Sequence, residues 1–152
     1  MSADLVLFKD NYTKYCFGFL IKHKSEVKDK IREVLQLAKT QGHSIQEFLI
    51  DNNGGEFDNV EVRNVLKMYG VKQRLTAPYT PQQNGSSERE NRTVIEIART
   101  LRFSNRNVQF PDALWAEIVN TSIYILNRTR KTNLKGKVHM SFGLARNQES
   151  AI

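Results

Sequence analysis

Apolar residues in this chain follow two different spacings, and the elements change where the spacing changes. Leu5-Val6-Leu7-Phe8 and Tyr15-Cys16-Phe17-Gly18-Phe19-Leu20-Ile21 are short β-rich runs. The turn-prone Lys9-Asp10-Asn11 lies between them, so they read as an antiparallel hairpin. From Val27 the pattern becomes helical: Val27, Ile31, Val34, Leu35 and Ala38 share one stripe, with Ser25 as the expected N-cap and Gly42 as the stop. Ile45 to Ile50 is a compact apolar run after a helix, as expected of a buried parallel strand, and Gly54-Gly55 breaks it. Asp58 is the expected cap of a second helix, which carries Val62, Val65, Leu66 and Tyr69 on one face. After Gly70, Val71 to Leu75 reads as another short strand.

Pro78, Pro81 and Gly85 place a loop over Thr76 to Gly85, with a helix expected from about Ser87 to Phe103. Polar Ser104 to Gln109 leads to a last helix that Pro111 starts and that carries Leu114, Ile118, Ile123 and Leu126. Asn127 to Lys137 is a basic tail, poor in apolar residues. A hairpin followed by alternating helix and strand, then helices, predicts an α/β domain with a mixed sheet flanked by helices.

Length and composition narrow the class. At 152 residues the chain fits one domain, and no apolar run approaches the length that spans a bilayer, so no membrane partner is expected. The start, Met1-Ser2-Ala3-Asp4, lacks the basic and apolar regions of a secretory signal. Cys16 is the only cysteine, which excludes an internal disulfide or a cysteine-based zinc cluster, and His23, His43 and His139 have no zinc-site spacing. A nuclear or cytoplasmic setting is the expectation, with Cys16 as a packed strand residue. The net charge of +7 is uneven: residues 1–76 carry +2 and residues 77–152 carry +5. That asymmetry points to an anionic partner, foremost nucleic acid, rather than a small-molecule substrate.

Residues 49–92 carry the candidate chemistry. They contain Leu49-Ile50-Asp51-Asn52-Asn53-Gly54-Gly55-Glu56-Phe57, then Gly70-Val71, then Ala77-Pro78-Tyr79-Thr80-Pro81-Gln82-Gln83-Asn84-Gly85 and Glu88-Arg89-Glu90-Asn91-Arg92. This closely resembles the catalytic core of copia-type retrotransposon integrases. The likeness continues through Trp115-Ala116-Glu117 and Ile123-Tyr124-Ile125-Leu126-Asn127-Arg128, and reaches back to Phe8-Lys9-Asp10-Asn11-Tyr12-Thr13. It implies an integrase core-like domain over residues 1–137 and an extension over 138–152 that the family pattern does not cover.

The resemblance implies a ribonuclease H-like fold in which three carboxylates hold two Mg²⁺ or Mn²⁺ ions. The two metals, roughly 3.5–4 Å apart, would activate the attacking oxygen and stabilise the leaving one in phosphodiester strand transfer. Glu88 matches the third carboxylate and is the metal ligand carried over. In the family 35 residues lie between the second carboxylate and the third, and Asn52 stands at that position. Asparagine is neutral and offers one carbonyl oxygen, with an amide nitrogen that would face the cation. Asp51 is one residue away, so on a strand it points to the opposite face and substitutes only if the strand bulges or slips. By the same alignment the first carboxylate precedes Met1, and with it the family's first, central strand. Without that strand the sheet closes up directly, another chain supplies the strand, or the fragment folds poorly.

The same resemblance implies DNA contacts by the helix that holds Glu88 and by the loop before it, at Gln82, Gln83, Asn84, Arg89 and Arg92. At roughly 100° per residue, Val94, Ile97, Ala98 and Leu101 share one arc of this helix, and Arg89, Arg92, Arg99 and Arg102 share the opposite one around Glu88. Arg99 therefore joins the expected DNA-binding set, and Arg128-Thr129-Arg130-Lys131 offers further phosphate contacts. The expected function is that of an integrase core from a retrotransposon polyprotein, DNA-binding and inactive as this chain. Two alternatives differ in class: an enzyme whose site is completed by Asp51 or another chain, and a non-enzymatic module that pairs with a second copy or a full-length integrase.

Overall fold

The computed structural model describes residues 3–11, 13–50, 58–75 and 81–130, with the side chains of 81–87 left aside. The elements in order are β1 (Asp4–Lys9), β2 (Cys16–Ile21), α1 (Val27–Thr40), β3 (Glu47–Ile50), α2 (Val60–Met68), β4 (Lys72–Leu75), α3 (Pro81–Phe103) and α4 (Trp115–Thr129). Single 3₁₀ turns, Lys24–Glu26 and Asp112–Leu114, precede α1 and α4. Among the described residues the strands form two separate two-stranded sheets, β1-β2 and β3-β4. No described helix is long and apolar enough to cross a membrane.

The chain divides into two compact units, one of residues 1–4 and 21–86, the other of residues 5–20 and 87–152. In the first, α1 packs against α2. The stripe read from the sequence is the buried one: Val27, Ile31, Val34 and Leu35 on α1, and Val62, Val65 and Leu66 on α2. Gly42 and Gly70 end these helices with φ of +77° and +68°, the left-handed conformation that glycine adopts without strain. Lys28 and Glu61 form a 2.9 Å ion pair between the two helices.

Both expected caps move. Ser25 lies inside the first 3₁₀ turn, and Glu26 there accepts hydrogen bonds from the backbone N–H groups of His23 (2.8 Å) and Lys22 (3.0 Å). Asn59, not Asp58, caps α2, its Oδ1 accepting from the Val62 N–H at 2.9 Å. Asp58 is engaged by Arg63 at 2.7 Å and by Gln73 at 3.2 Å. β3 and β4 are parallel as expected, with Ile50 opposite Leu75. They are less buried than expected, because only Ile50 reaches the core and alternation leaves Leu49 about half exposed on the other face. β3 also starts at Glu47, two residues after the start of the apolar run.

In the second unit, residues 10–15 connect β1 and β2, too short a link for a parallel crossover, so the pair is the expected hairpin. Asp10 holds the turn, its Oδ2 accepting from the Thr13 hydroxyl at 2.5 Å. One core cluster joins Cys16 to Val94 and Ala98 of α3 and to Ile118, Val119, Ile123 and Leu126 of α4. Leu5, Leu7 and Leu20 pack against it from the hairpin, as does Trp115 from α4. Gly18 lies between Cys16 and Leu20 on that strand face, where a Cβ would stand 2.1 Å from Cδ1 of Ile123. Its lack of a side chain is what lets α4 approach the hairpin.

Candidate nucleic-acid interface

α3 starts at Pro81, six residues earlier than the sequence pattern suggested. A proline at the first helical position lacks only an N–H that would have no partner inside the helix. Gln82, Gln83 and Asn84, expected in a loop, therefore belong to the first turns of α3. Thr76 to Thr80, the rest of the expected loop, lie outside the described residues, as do Asp51 and Asn52.

Glu88 is exposed on α3, and Arg89, Arg92 and Arg99 are exposed with it. Over the described turns the helix separates its residues as the periodicity implied, with Val94 and Ala98 fully buried and Ile97 and Leu101 half-buried against the same cluster. Arg102 is the exception on the basic side. It is half-buried and paired with Asp112 at the entry to α4, so its charge is neutralised locally.

Glu90 is the site residue that sequence reasoning missed. It is 6% exposed, and its carboxylate is shared by Lys9 Nζ of β1 at 2.7 Å and by the guanidinium of Arg130, which follows α4. Burial pushes this carboxyl up, but the hydrogen bonds and charges of Lys9 and Arg130 outweigh it and hold Glu90 below its ordinary range. A signal existed: Glu90 lies four residues before Val94 and eight before Ala98, on the inward arc. Lys9 likewise follows Leu5 and Leu7 at the two-residue spacing of the strand face that meets the cluster.

The basic segment at the end of α4 is partly committed to partners within the chain. Arg130 binds Glu90, and the Arg128 guanidinium stacks on the Tyr124 ring at 3.2 Å from its centroid while Nη1 donates to the Tyr124 carbonyl. Of the phosphate contacts expected there, Arg130 has an internal anion instead, and Lys131 lies outside the described residues. Cys16 is 1% exposed, and its thiol is pushed up to about 11 by burial first and the Glu90 charge second, with Lys9 and Arg130 opposing. It is the packed strand residue expected.

Over 146 residues, 95% of its length, the chain is 32% identical to the retrovirus-related Pol polyprotein from transposon RE2 of Arabidopsis thaliana. Over 124 residues, 82% of its length, it is 30% identical to the retrovirus-related Pol polyprotein from transposon TNT 1-94 of Nicotiana tabacum. The chain belongs to the Pol polyproteins of copia-type retrotransposons, as an integrase-core domain. It spans about a tenth of the length of these relatives, 10% and 9% respectively. No protein-family model matches it.

The fold agrees with that membership. The catalytic core domain of BIV integrase superposes on this integrase core with a TM-score of 0.67 at 16% identity, covering 99% of this chain and 91% of that one. A chain of the simian T-cell lymphotropic virus intasome, solved in complex with the PP2A regulatory subunit B56 gamma, gives 0.68 at 15% identity over 93% of this chain and 52% of its own. At such identities the likeness establishes the ribonuclease H-like fold of the integrase core and nothing about individual side chains.

Proposed function

We propose that this integrase-core domain binds duplex DNA without sequence preference through α3 and does not carry strand transfer by itself. The observation that supports it is the exposure of Arg89, Arg92 and Arg99 around Glu88, on the helix side away from the core. Guanidinium groups bind phosphate oxygens bidentately and release counterions from the duplex. Gln82, Gln83 and Asn84 extend the same helix toward its N-terminus, where backbone N–H groups favour anions.

Mg²⁺ and Mn²⁺ require several oxygen donors, mostly carboxylates. Glu88 offers one carboxylate, Asn52 offers a neutral carbonyl at the second position, and no group of three or more metal-ligating side chains gathers among the described residues. Glu88 with a neutral Asn52 does not fit a two-ion centre. The alternative, a module pairing with a second copy or a full-length integrase through its last two helices, draws on exposed Phe103 and Tyr124. Light scattering that finds a monomer across micromolar concentrations removes that alternative.

The test of the main reading is fluorescence anisotropy with a labelled random-sequence duplex at increasing salt. Binding should weaken steeply, and Arg92→Ala should reduce the log–log slope by about 0.9. Salt-insensitive binding, or none at about 50 mM salt, overturns it. Metal-dependent nicking that disappears in Glu88→Gln would overturn the non-catalytic half alone.

A further inference from the structure

We infer that Glu90 is a positioning residue: gripped by Lys9 and Arg130, it sets the roll of α3 and so the direction in which Glu88, Arg89 and Arg92 leave the helix. Glu90 is the most N-terminal buried side chain among those described on α3, and the next, Val94, lies a full turn further on. The turn that carries Glu88, Arg89 and Arg92 is therefore anchored at Glu90. Apolar contacts such as those of Val94 and Ala98 have no preferred direction and tolerate small rotations and slides. A carboxylate held by two donors from two other elements, β1 and the end of α4, tolerates far less.

The geometric leverage is large. Side-chain tips stand roughly 5–6 Å from a helix axis, so a roll of about 20° carries them about 2 Å. A displacement of that size is enough to separate a guanidinium from a phosphate oxygen. The sequence is consistent with a dedicated device rather than an accidental pair, because Lys9 and Glu90 each interrupt an apolar face with a charge, and the two charges meet across 81 residues of chain. The inference deepens the DNA-binding reading and rests on it for its functional consequence, though not for its structural one.

The experiment uses the whole chain, labelled with ¹⁵N, and two readouts. Residual dipolar couplings of residues 88–93, referenced to those of α4, report the orientation of this turn whether or not DNA binds. Anisotropy with the duplex reports affinity. The variants are Glu90→Gln and the apolar set Lys9→Met with Glu90→Met and Arg130→Met. Expected are shifted couplings in Glu90→Gln and in the apolar set, and about tenfold weaker duplex binding in the apolar set. A purely structural role lowers the melting temperature and leaves the couplings unchanged. Wild-type couplings in a folded Glu90→Gln protein overturn the inference, whatever becomes of the apolar set. Shifted couplings with no duplex binding by the wild type uphold the positioning and overturn the DNA-binding reading instead.

Discussion

Asn127 of α4 and Cys16 of β2 exchange two hydrogen bonds, the Cys16 N–H donating to Asn127 Oδ1 and Asn127 Nδ2 donating to the Cys16 carbonyl, each at 2.9 Å. The side-chain amide thus serves both backbone groups of the first residue of β2, as a neighbouring strand would. Asn127 is 2% exposed and Cys16 1%, so neither backbone group has water as a substitute. Asn127→Leu leaves both unpaired and should cost about 2–4 kcal/mol. Urea unfolding checks this, and a loss under about 0.5 kcal/mol would mean that the amide pair is not retained in solution.

Gly18 and Ile123 form a second close approach between the same two elements. Gly18→Ala places a Cβ 2.1 Å from Ile123 Cδ1 and 2.9 Å from Leu7 Cδ2, and the strain should cost about 1–3 kcal/mol. Ile123→Val removes the nearer atom. The double variant should therefore be more stable than the sum of the single changes implies, with a coupling of about 1 kcal/mol in a double-mutant cycle.

Acid should weaken the second unit through Glu90. Its carboxyl titrates lower in the folded chain than the unfolded value of about 4.3, so the unfolded state takes up a proton first as pH falls. The stabilisation is complete above about 4.3 and is lost as pH drops through the folded value. Unfolding midpoints between about pH 6 and pH 3 should fall less steeply in Glu90→Gln than in the wild type.

Cys16 should be inert toward thiol reagents in the folded chain. With its thiol raised to about 11 and 1% exposure, almost no thiolate is present or reachable near neutral pH. Colorimetric titration with an aromatic disulfide at about pH 8 should label it only after urea is added. The same shift predicts that stability declines as pH rises above the unfolded value of about 8.5 and is lost through about 11, because the unfolded thiol deprotonates first.

The α2 cap separates two neighbouring residues. Asn59→Ala removes the acceptor for the Val62 N–H and should cost about 1 kcal/mol. Asp58→Ala removes the ion pair with the exposed Arg63 guanidinium and the hydrogen bond from Gln73 instead, and should cost about 1 kcal/mol or less without fraying the first turn of α2. Urea melts read both losses, and fraying of that turn in both variants would place the cap at both residues.

What the sequence determined by itself is local and periodic. The stripes of α1 and α2, the inward arc of α3, the hairpin and the glycine stops at Gly42 and Gly70 follow from spacing and backbone preference, which neighbours in the chain impose on one another. The family was legible because ordered motifs spread over most of the chain agree at once. The tertiary structure decided which polar residues go inside. Glu90 and Asn127 occupy inward positions, but a lone charge or amide there is unfavourable until its partner is known, and those partners, Lys9 and Cys16, lie 81 and 111 residues away. It also decided where α3 begins, since Pro81 reads equally as a loop residue or a first helical residue. Finally, it left Leu49 half exposed in a strand that its composition marked as buried, because burial depends on what packs against each face, not on the strand alone.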